Sequence, residues 1–355
     1  MLFKNLLGPT APVNRPPTTR LGLPPARRNP WQRVGRTLLA EATRDPDIAM
    51  RQAGLDWSVS RVDMRCADTL DPVPGFAAIR RSDTSALLGV VGSGYEPFSN
   101  SAMFQVFKDL ARVGRQDGGL PFTIETAGSF QGGKVVWALA HLPDLTIRIG
   151  EDESRTCLLV STGHNGNRPI TIAPTTIRVV CQNTLSLALR QIRDRQRHGY
   201  SLNAGFSIRH TTNMLEAVAN AKRAYADTLA SHGATVEAYQ HLAAKPLTAK
   251  MERTFFDAVF GRAAPDESDR ARAIRKSRDE RLAAILASPT SQVIGTKETA
   301  FSLLQAAVEF IDHDRTTRSA DETDPVQQRL LSATWGSGAD LKVAAWAAIL
   351  DLTRT

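Results

Sequence analysis

The apolar residues of this chain follow two different periods in two parts of the sequence. Between about residues 57 and 181 they alternate with polar residues or gather in short runs, which is typical of β-strands. From about residue 211 onward they return every three or four positions, which is typical of helices, with breaks near Pro246, Pro265 and Pro289. The change of period predicts an α+β fold: a mainly antiparallel sheet with flanking helices, followed by a helical C-terminal region.

Two turns and two helix starts can be placed within the strand-rich part. The polar run 81–84 predicts a turn between two strands, and Gln131-Gly132-Gly133 predicts a hairpin. Asn100 is expected to cap a helix over 101–112. Asn183 or Thr184 is expected to cap a second helix, which Gly199 ends.

The N-terminal segment has a composition of its own. Residues 1–30 contain seven prolines, and residues 1–40 contain seven Lys or Arg and no Asp or Glu. We therefore predict a disordered basic leader over 1–30, an α+β core domain over 31–232 and a helical region over 233–355 that packs on the core. A basic arm of this kind can touch phosphates or an acidic partner. The alternatives are a solubilising leader and a start codon placed too early.

Composition excludes several classes of protein. No run approaches the roughly 18 apolar residues that cross a bilayer, and no secretory signal is recognisable. Cys66, Cys157 and Cys181 lie far apart and form neither a disulfide framework nor a zinc pattern. We expect a cytoplasmic protein with reduced thiols, no membrane contact, no metal and no cofactor.

The glycine-rich segment GVVGSGYEP is a candidate phosphate-binding loop. The spacing of Gly89, Gly92 and Gly94 matches neither a Walker sequence nor the dinucleotide fingerprint, and Pro97 breaks the helix that such a loop needs. We favour a structural turn that redirects the chain before Tyr95.

His164 and Cys181 are the candidates for enzymatic chemistry. His164, in the polar loop STGHNG, could act as a general base or a metal ligand, or it could be a turn histidine. Cys181, before a predicted helix start, could be an activated nucleophile with His164 as its base. We favour the simpler interpretation, in which Cys181 packs in the core and Asn183 caps the helix, and we assign no catalytic residue.

Two clusters of arginine follow. On the helix predicted after Asn183, Arg190, Arg193 and Arg197 share one face, which suits either a line of phosphate contacts or an ordinary solvated surface. The second cluster, between residues 270 and 281, alternates with acidic residues and is typical of a solvated helix stabilised by ion pairs.

Several separated strings together resemble the phage/plasmid-like proteins classed as domain of unknown function 932. The resemblance covers about residues 57–350, and in one place the family often has His-Asp-Gly where this chain has His164-Asn165-Gly166. The strings are RSD with LLGVVGSGYEPFSN, ETAGSFQGGKVVWALAHL, LLVSTGHNG, TTIRVVCQNTL, FSIRHTTN, AVEFIDHDR and WGSGADLKVAAWA. The motif residues are Gly92, Tyr95, His164, Asn165, Gly166, Arg178, Cys181 and Asn183.

The resemblance implies a protein of phages, prophages and plasmids, for which nucleic acid is the expected partner. The order of strands and helix is also similar to that of single-strand annealing proteins, which form oligomers on DNA. We therefore expect a non-enzymatic protein that binds or anneals single-stranded DNA as a homo-oligomer. The expected contacts are Arg178, Arg190, Arg193 and Arg197 to phosphates, with Tyr95 and Phe98 stacking on bases. The alternatives are an enzyme that uses His164 and Cys181, and an interaction protein that blocks a host defence factor.

Overall fold

The computed structural model describes residues 30–116, 122–185, 206–210, 221–317 and 324–354. The strands are β1 Arg36–Thr37, β2 Val59–Arg65, β3 Pro72–Arg81, β4 Leu87–Gly92, β5 Thr123–Phe130, β6 Val135–His141, β7 Ile147–Ile149, β8 Asp152–Gly163, β9 Ile170–Arg178, β10 Thr184–Leu185 and β11 Phe206–Ile208. The α-helices are α1 Pro30–Val34, α2 Pro46–Gln52, α3 Asn100–Gln116, α4 Ala221–Ala243, α5 Ala249–Phe260, α6 Asp269–Leu286, α7 Ala300–Glu309, α8 Pro325–Trp335 and α9 Ser337–Leu352.

The main sheet is antiparallel and runs in the order β1-β5-β6-β8-β9-β10, with β7 added to β8 and β11 added to β9. Its centre is the hairpin predicted at the glycine pair, in which Phe130 lies opposite Val135. Strand β6 then pairs along its whole length with β8. The hairpin turn, the end of β8 and the start of β9 therefore lie at the same end of the sheet.

A second, three-stranded antiparallel sheet is formed by β2, β3 and β4. The predicted turn after Arg81 is confirmed, since β3 ends there and β4 begins at Leu87. Helix α3 follows, but Ser99 caps it: the Ser99 hydroxyl accepts from the amide of Ala102 at 3.1 Å. The predicted cap, Asn100, instead uses its side chain in a buried network described below.

Each face of the main sheet is covered by a separate apolar cluster. One face packs against α2, α3 and the small sheet, through residues such as Phe104, Phe107 and Val136. The other face carries an aromatic cluster in which Trp31 of α1 lies 4.6 Å from Trp137, measured between ring centroids. Pro30 and Trp31 are both buried, so Pro30, the last residue of the leader predicted over 1–30, packs on the body. Residues 1–29 lie outside the described residues.

The helix predicted at Asn183 is wrong at its start. Thr184 and Leu185 form strand β10, paired with Ile177 and Thr176 of β9. The chain reverses in a tight turn in which Gln182 adopts a φ of 57°, and the amide of Arg178 donates to the carbonyl of Asn183 at 3.0 Å. A chain that turns back onto the strand it has just left cannot begin a helix there. The remainder of the predicted helix, after 185, lies outside the described residues.

The breaks predicted near Pro246, Pro265 and Pro289 are confirmed, because these prolines lie between α4 and α5, between α5 and α6, and between α6 and α7. A π-helix, Phe310–Asp314, extends α7. The architecture is α+β, as the periods of the sequence predict. No helix among the described residues is long and apolar enough to cross a membrane.

Candidate functional site

Most of the recognised motifs meet at the end of β8 and the turn that follows it, residues 161–168, which we call the 161–168 loop. The hydroxyl of Tyr95 donates to the carbonyl of Gly163 at 2.7 Å. A Cβ on Gly89 would lie 2.7 Å from the Cα of Asn165, so β4 packs directly on this loop. Gly166 has a φ of 76°, a conformation that favours glycine. The loop is thus held by strings that are distant in sequence.

His164 belongs to a buried network rather than to an open cleft. The Asn100 amide donates to the carbonyls of Leu55 and Trp57, so its oxygen faces His164 and accepts from Nε2 at 2.9 Å. The other ring nitrogen, Nδ1, is buried and has no hydrogen-bond partner among the described residues. Burial, with His210 and Arg81 nearby, lowers the pKa of His164 to about 3. The imidazole is therefore neutral at physiological pH and fixes the loop.

The two aromatic residues predicted to stack on bases are differently placed. Phe98 is only 1% exposed and belongs to the core beneath α3, so a stacking role for Phe98 is wrong for this structure. Tyr95 is half-buried and already stacked on His210, with 4.7 Å between ring centroids. Its hydroxyl is also bonded to the loop, so Tyr95 acts here as a structural support.

Arg178 and Cys181 lie at the opposite end of β8. The Arg178 guanidinium donates from Nε to the carboxylate of Asp152 at 2.9 Å, and both side chains are almost completely buried. Arg178 therefore cannot reach a phosphate at the surface, which corrects the prediction. Asn183 donates to the carbonyl of Gln305 at 3.0 Å, so it joins the turn to α7 instead of capping a helix.

Cys181 and His164 are too far apart to act together. Arg178, which contacts the Cys181 sulfur at 3.5 Å, pairs with Ser154 of β8, whereas His164 follows the last residue of that strand. Ser154 and His164 are ten residues apart along the extended chain, which corresponds to roughly 33 Å. Burial raises the pKa of the Cys181 thiol to about 12, so the thiol is protonated at neutral pH. The predicted packing of Cys181 in the core is confirmed.

A cavity of about 510 Å³ lies beside Arg168, four residues after His164, at the same end of the main sheet. It is formed where the β5–β6 turn, the 161–168 loop, the end of the π-helix and the junction of α8 with α9 meet. We call it the arginine pocket. Its polar lining includes Gln131, Arg168, Arg315, Gln328, Ser332 and Ser337.

Two arginines give the arginine pocket its charge. Arg315 follows the π-helix, and its amide donates to the carbonyl of Phe310 at 2.7 Å. Its guanidinium donates to the hydroxyls of Ser332 at 3.3 Å and Ser337 at 3.1 Å. The Arg168 guanidinium lies 5.0 Å from the ring centroid of Trp335. Neither arginine forms an ion pair with a carboxylate among the described residues.

These two positive charges are partly removed from water without a counterion in the described part of the chain. Burial lowers the pKa of both Arg168 and Arg315, although a guanidinium remains protonated at physiological pH. Placing an unpaired charge in a half-buried position costs free energy that a bound anion would offset. The chemistry of the arginine pocket therefore suits an anionic group.

A second cavity, of about 1010 Å³, adjoins the arginine pocket and shares Arg315 and Thr316 with it. Its other arginines are compensated, since Arg278 donates to Asp279 at 2.8 Å and Arg281 to Asp314 at 3.0 Å. The prediction that the 270–281 cluster is a surface helix stabilised by ion pairs is confirmed. The smaller cavity is thus lined by both unpaired arginines, whereas Arg168 does not line the larger one.

Neither Arg168 nor Arg315 has a distinctive sequence pattern around it, although each lies within or beside a recognised motif. Arg168 lies two residues after STGHNG, and Arg315 ends AVEFIDHDR. The predicted phosphate contacts Arg190, Arg193 and Arg197 lie outside the described residues. Among the residues that are described, no three His, Cys, Asp or Glu side chains are grouped as a metal site.

The architecture and the site define an α+β protein with an arginine-lined cavity at one end of its main sheet. The chain belongs to the family described as Domain of unknown function (DUF932), whose model matches residues 87–335. That range includes both arginines of the pocket. No curated protein and no solved structure matches the chain.

Proposed function

We propose that this protein associates with nucleic acid, without catalysing a reaction on it, through phosphate contacts in the arginine pocket. The observation that carries the proposal is that Arg168 and Arg315 line one cavity and have no carboxylate partner among the described residues. A nucleic-acid strand carries a phosphate at every nucleotide, and contacts to these phosphates supply much of a protein's affinity for the strand.

We favour single-stranded DNA as the partner, and we favour a phage, prophage or plasmid as the origin of the protein. Both follow from the resemblance to the phage/plasmid-like proteins and from the similarity of layout to single-strand annealing proteins. Annealing would require several copies on one strand, so homo-oligomer formation is part of the proposal. Arg190, Arg193 and Arg197 remain candidate phosphate contacts beside the arginine pocket.

The test is binding of a fluorescent single-stranded oligonucleotide, and of the matching duplex, by the full chain at several salt concentrations. Replacing both pocket arginines, Arg168→Gln with Arg315→Gln, should weaken binding and reduce the slope of log affinity against log salt. Two lost contacts should reduce that slope by about 1.4 on a single strand. Sequence preference should be unchanged, because phosphate contacts carry no sequence information.

A matched control removes two positive charges elsewhere. Arg270 and Lys276 are exposed on α6, so Arg270→Gln with Lys276→Gln lowers the net charge equally without touching the arginine pocket. We expect this control to bind nearly as the unaltered chain does. Equal losses in the two double variants would mean that only net charge matters. Absence of salt-dependent binding by the unaltered chain would refute the proposal.

The enzymatic alternative has less support than the proposal. It needs His164 and Cys181 to share one site, yet His164 follows the end of β8 and Cys181 lies near its start. The alternative of an interaction protein makes a different prediction from ours, because such a protein would bind its partner equally well after both pocket arginines are replaced.

A further inference from the structure

We propose that the arginine pocket recognises a phosphomonoester: the terminal phosphate of a strand, or the phosphate of a free mononucleotide. The inference rests on the proposed function, because it takes the same cavity as a phosphate site, and it adds which kind of phosphate fits. Charge, hydrogen-bond donors and size each support it independently.

The charge of the arginine pocket matches a monoester better than a diester. Its described lining contains two arginines and no Asp or Glu. A phosphodiester inside a strand carries one negative charge, whereas a phosphomonoester carries about 1.5 to 2 at pH 7. Two guanidinium groups compensate a dianion fully but leave a diester with one positive charge in excess.

Hydrogen-bond donors from several parts of the chain line the arginine pocket. Arg315 donates to two hydroxyls, and one of them, Ser332 Oγ, also accepts from the amide of Gly338 at 3.2 Å. Ser332 and Ser337 both line the cavity, and their hydroxyls can donate to a ligand as well as accept from Arg315. A monoester has three unbridged oxygens for such donors, and a diester has only two.

The position of Arg168 is fixed by packing. Its guanidinium lies over Trp335, and Trp335 is itself in edge contact with Trp31 at 5.9 Å and Phe130 at 6.2 Å, between ring centroids. An arginine held by a packed aromatic ring loses less conformational entropy when a ligand binds. This favours a defined site over a loosely charged surface.

The remaining lining suits the rest of a nucleotide. A volume of about 510 Å³ lies within the range of small-molecule sites. Leu331 provides an apolar wall, and the side-chain amide of Gln131 can both donate and accept, as recognition of a base edge requires. The cavity therefore has room for one nucleoside behind the phosphate.

The experiment compares one oligonucleotide sequence with a 5′-phosphate, with a 3′-phosphate and with hydroxyl ends, each titrated against the full chain. A phosphorylated end should bind about tenfold more tightly than the hydroxyl form. A deoxynucleoside 5′-monophosphate should compete, and its nucleoside should not. The preference should shrink below pH 6, where the monoester becomes protonated.

Arg168→Gln with Arg315→Gln should abolish the preference, and Arg270→Gln with Lys276→Gln should preserve it. If all ends bind equally and the mononucleotide does not compete, the inference fails. Loss of all strand binding in the pocket variant would then still support the proposed function. If the mononucleotide binds through both arginines while no strand binds, the inference holds and the proposed function fails.

Discussion

At the residue scale, the neutral state of His164 makes stability depend on pH. Its pKa is lowered to about 3, chiefly by burial, whereas an imidazole in the unfolded chain has a pKa near 6.5. Between these values the unfolded chain binds a proton that the folded chain does not. The free energy of unfolding should therefore fall as pH decreases below about 6.5, by about 1.4 kcal/mol per pH unit from this group.

The measurement is urea unfolding at pH 8, 7 and 5, for the unaltered chain and for His164→Gln. From pH 7 to pH 5 the unaltered chain should lose about 2 kcal/mol more than the variant does. From pH 8 to pH 7 the two should change alike, since the imidazole is neutral in both states. Burial also lowers the pKa of His210, which acts in the same direction in both proteins. Identical losses at pH 5 would show that His164 is not responsible.

At the element scale, a buried ion pair links two neighbouring strands of the main sheet and is bonded to the segment that precedes α7. Asp152 opens β8, Arg178 ends β9, and the hydroxyl of Thr296, just before α7, donates to the same carboxylate at 2.7 Å. Asp152→Asn leaves the guanidinium buried without a counterion, and we expect it to cost about 3–5 kcal/mol of unfolding free energy. Chemical denaturation measures this cost.

The matched control for this ion pair is Asp269→Asn on α6. Asp269 pairs with Arg272 at 3.3 Å, but both side chains are exposed, at 99% and 60%. A surface pair of this kind contributes about 0–1 kcal/mol. Similar costs for the two variants would contradict the view that burial makes the Asp152–Arg178 pair important for stability.

The elements were largely predictable, because local signals determine them. The glycine pair at 132–133 specifies the β5–β6 hairpin, and prolines separate the C-terminal helices. Strand β10 was missed because Asn183-Thr184 is a good helix cap in isolation. What overrides that preference is distant: the amide of Thr184 donates to Asp312, 128 residues further on, at 2.7 Å. The spacing of apolar residues in the sequence gives no information about such a distant contact.

The arginine pocket was not predictable for the same reason. Gln131, Arg168, Arg315 and Ser337 span more than half of the chain, and only the closed fold brings them together. The burial of Arg178 was not predictable either. An arginine at the end of an apolar strand has the same local sequence whether it faces solvent or a buried partner. The partner, Asp152, lies 26 residues away in the sequence.

At the scale of the whole molecule, we expect residues 1–29 to contribute nothing to stability, because this proline-rich segment has no apolar periodicity. They carry five of the basic residues and no acidic residue. A chain that begins at Pro30 should melt at the same temperature as the full chain. Trp31→Ala is the contrasting change, because Trp31 is fully buried against Trp137 and Trp335, and it should cost about 3–5 kcal/mol. A drop of several degrees on removing residues 1–29 alone would show instead that the basic segment packs on the folded body.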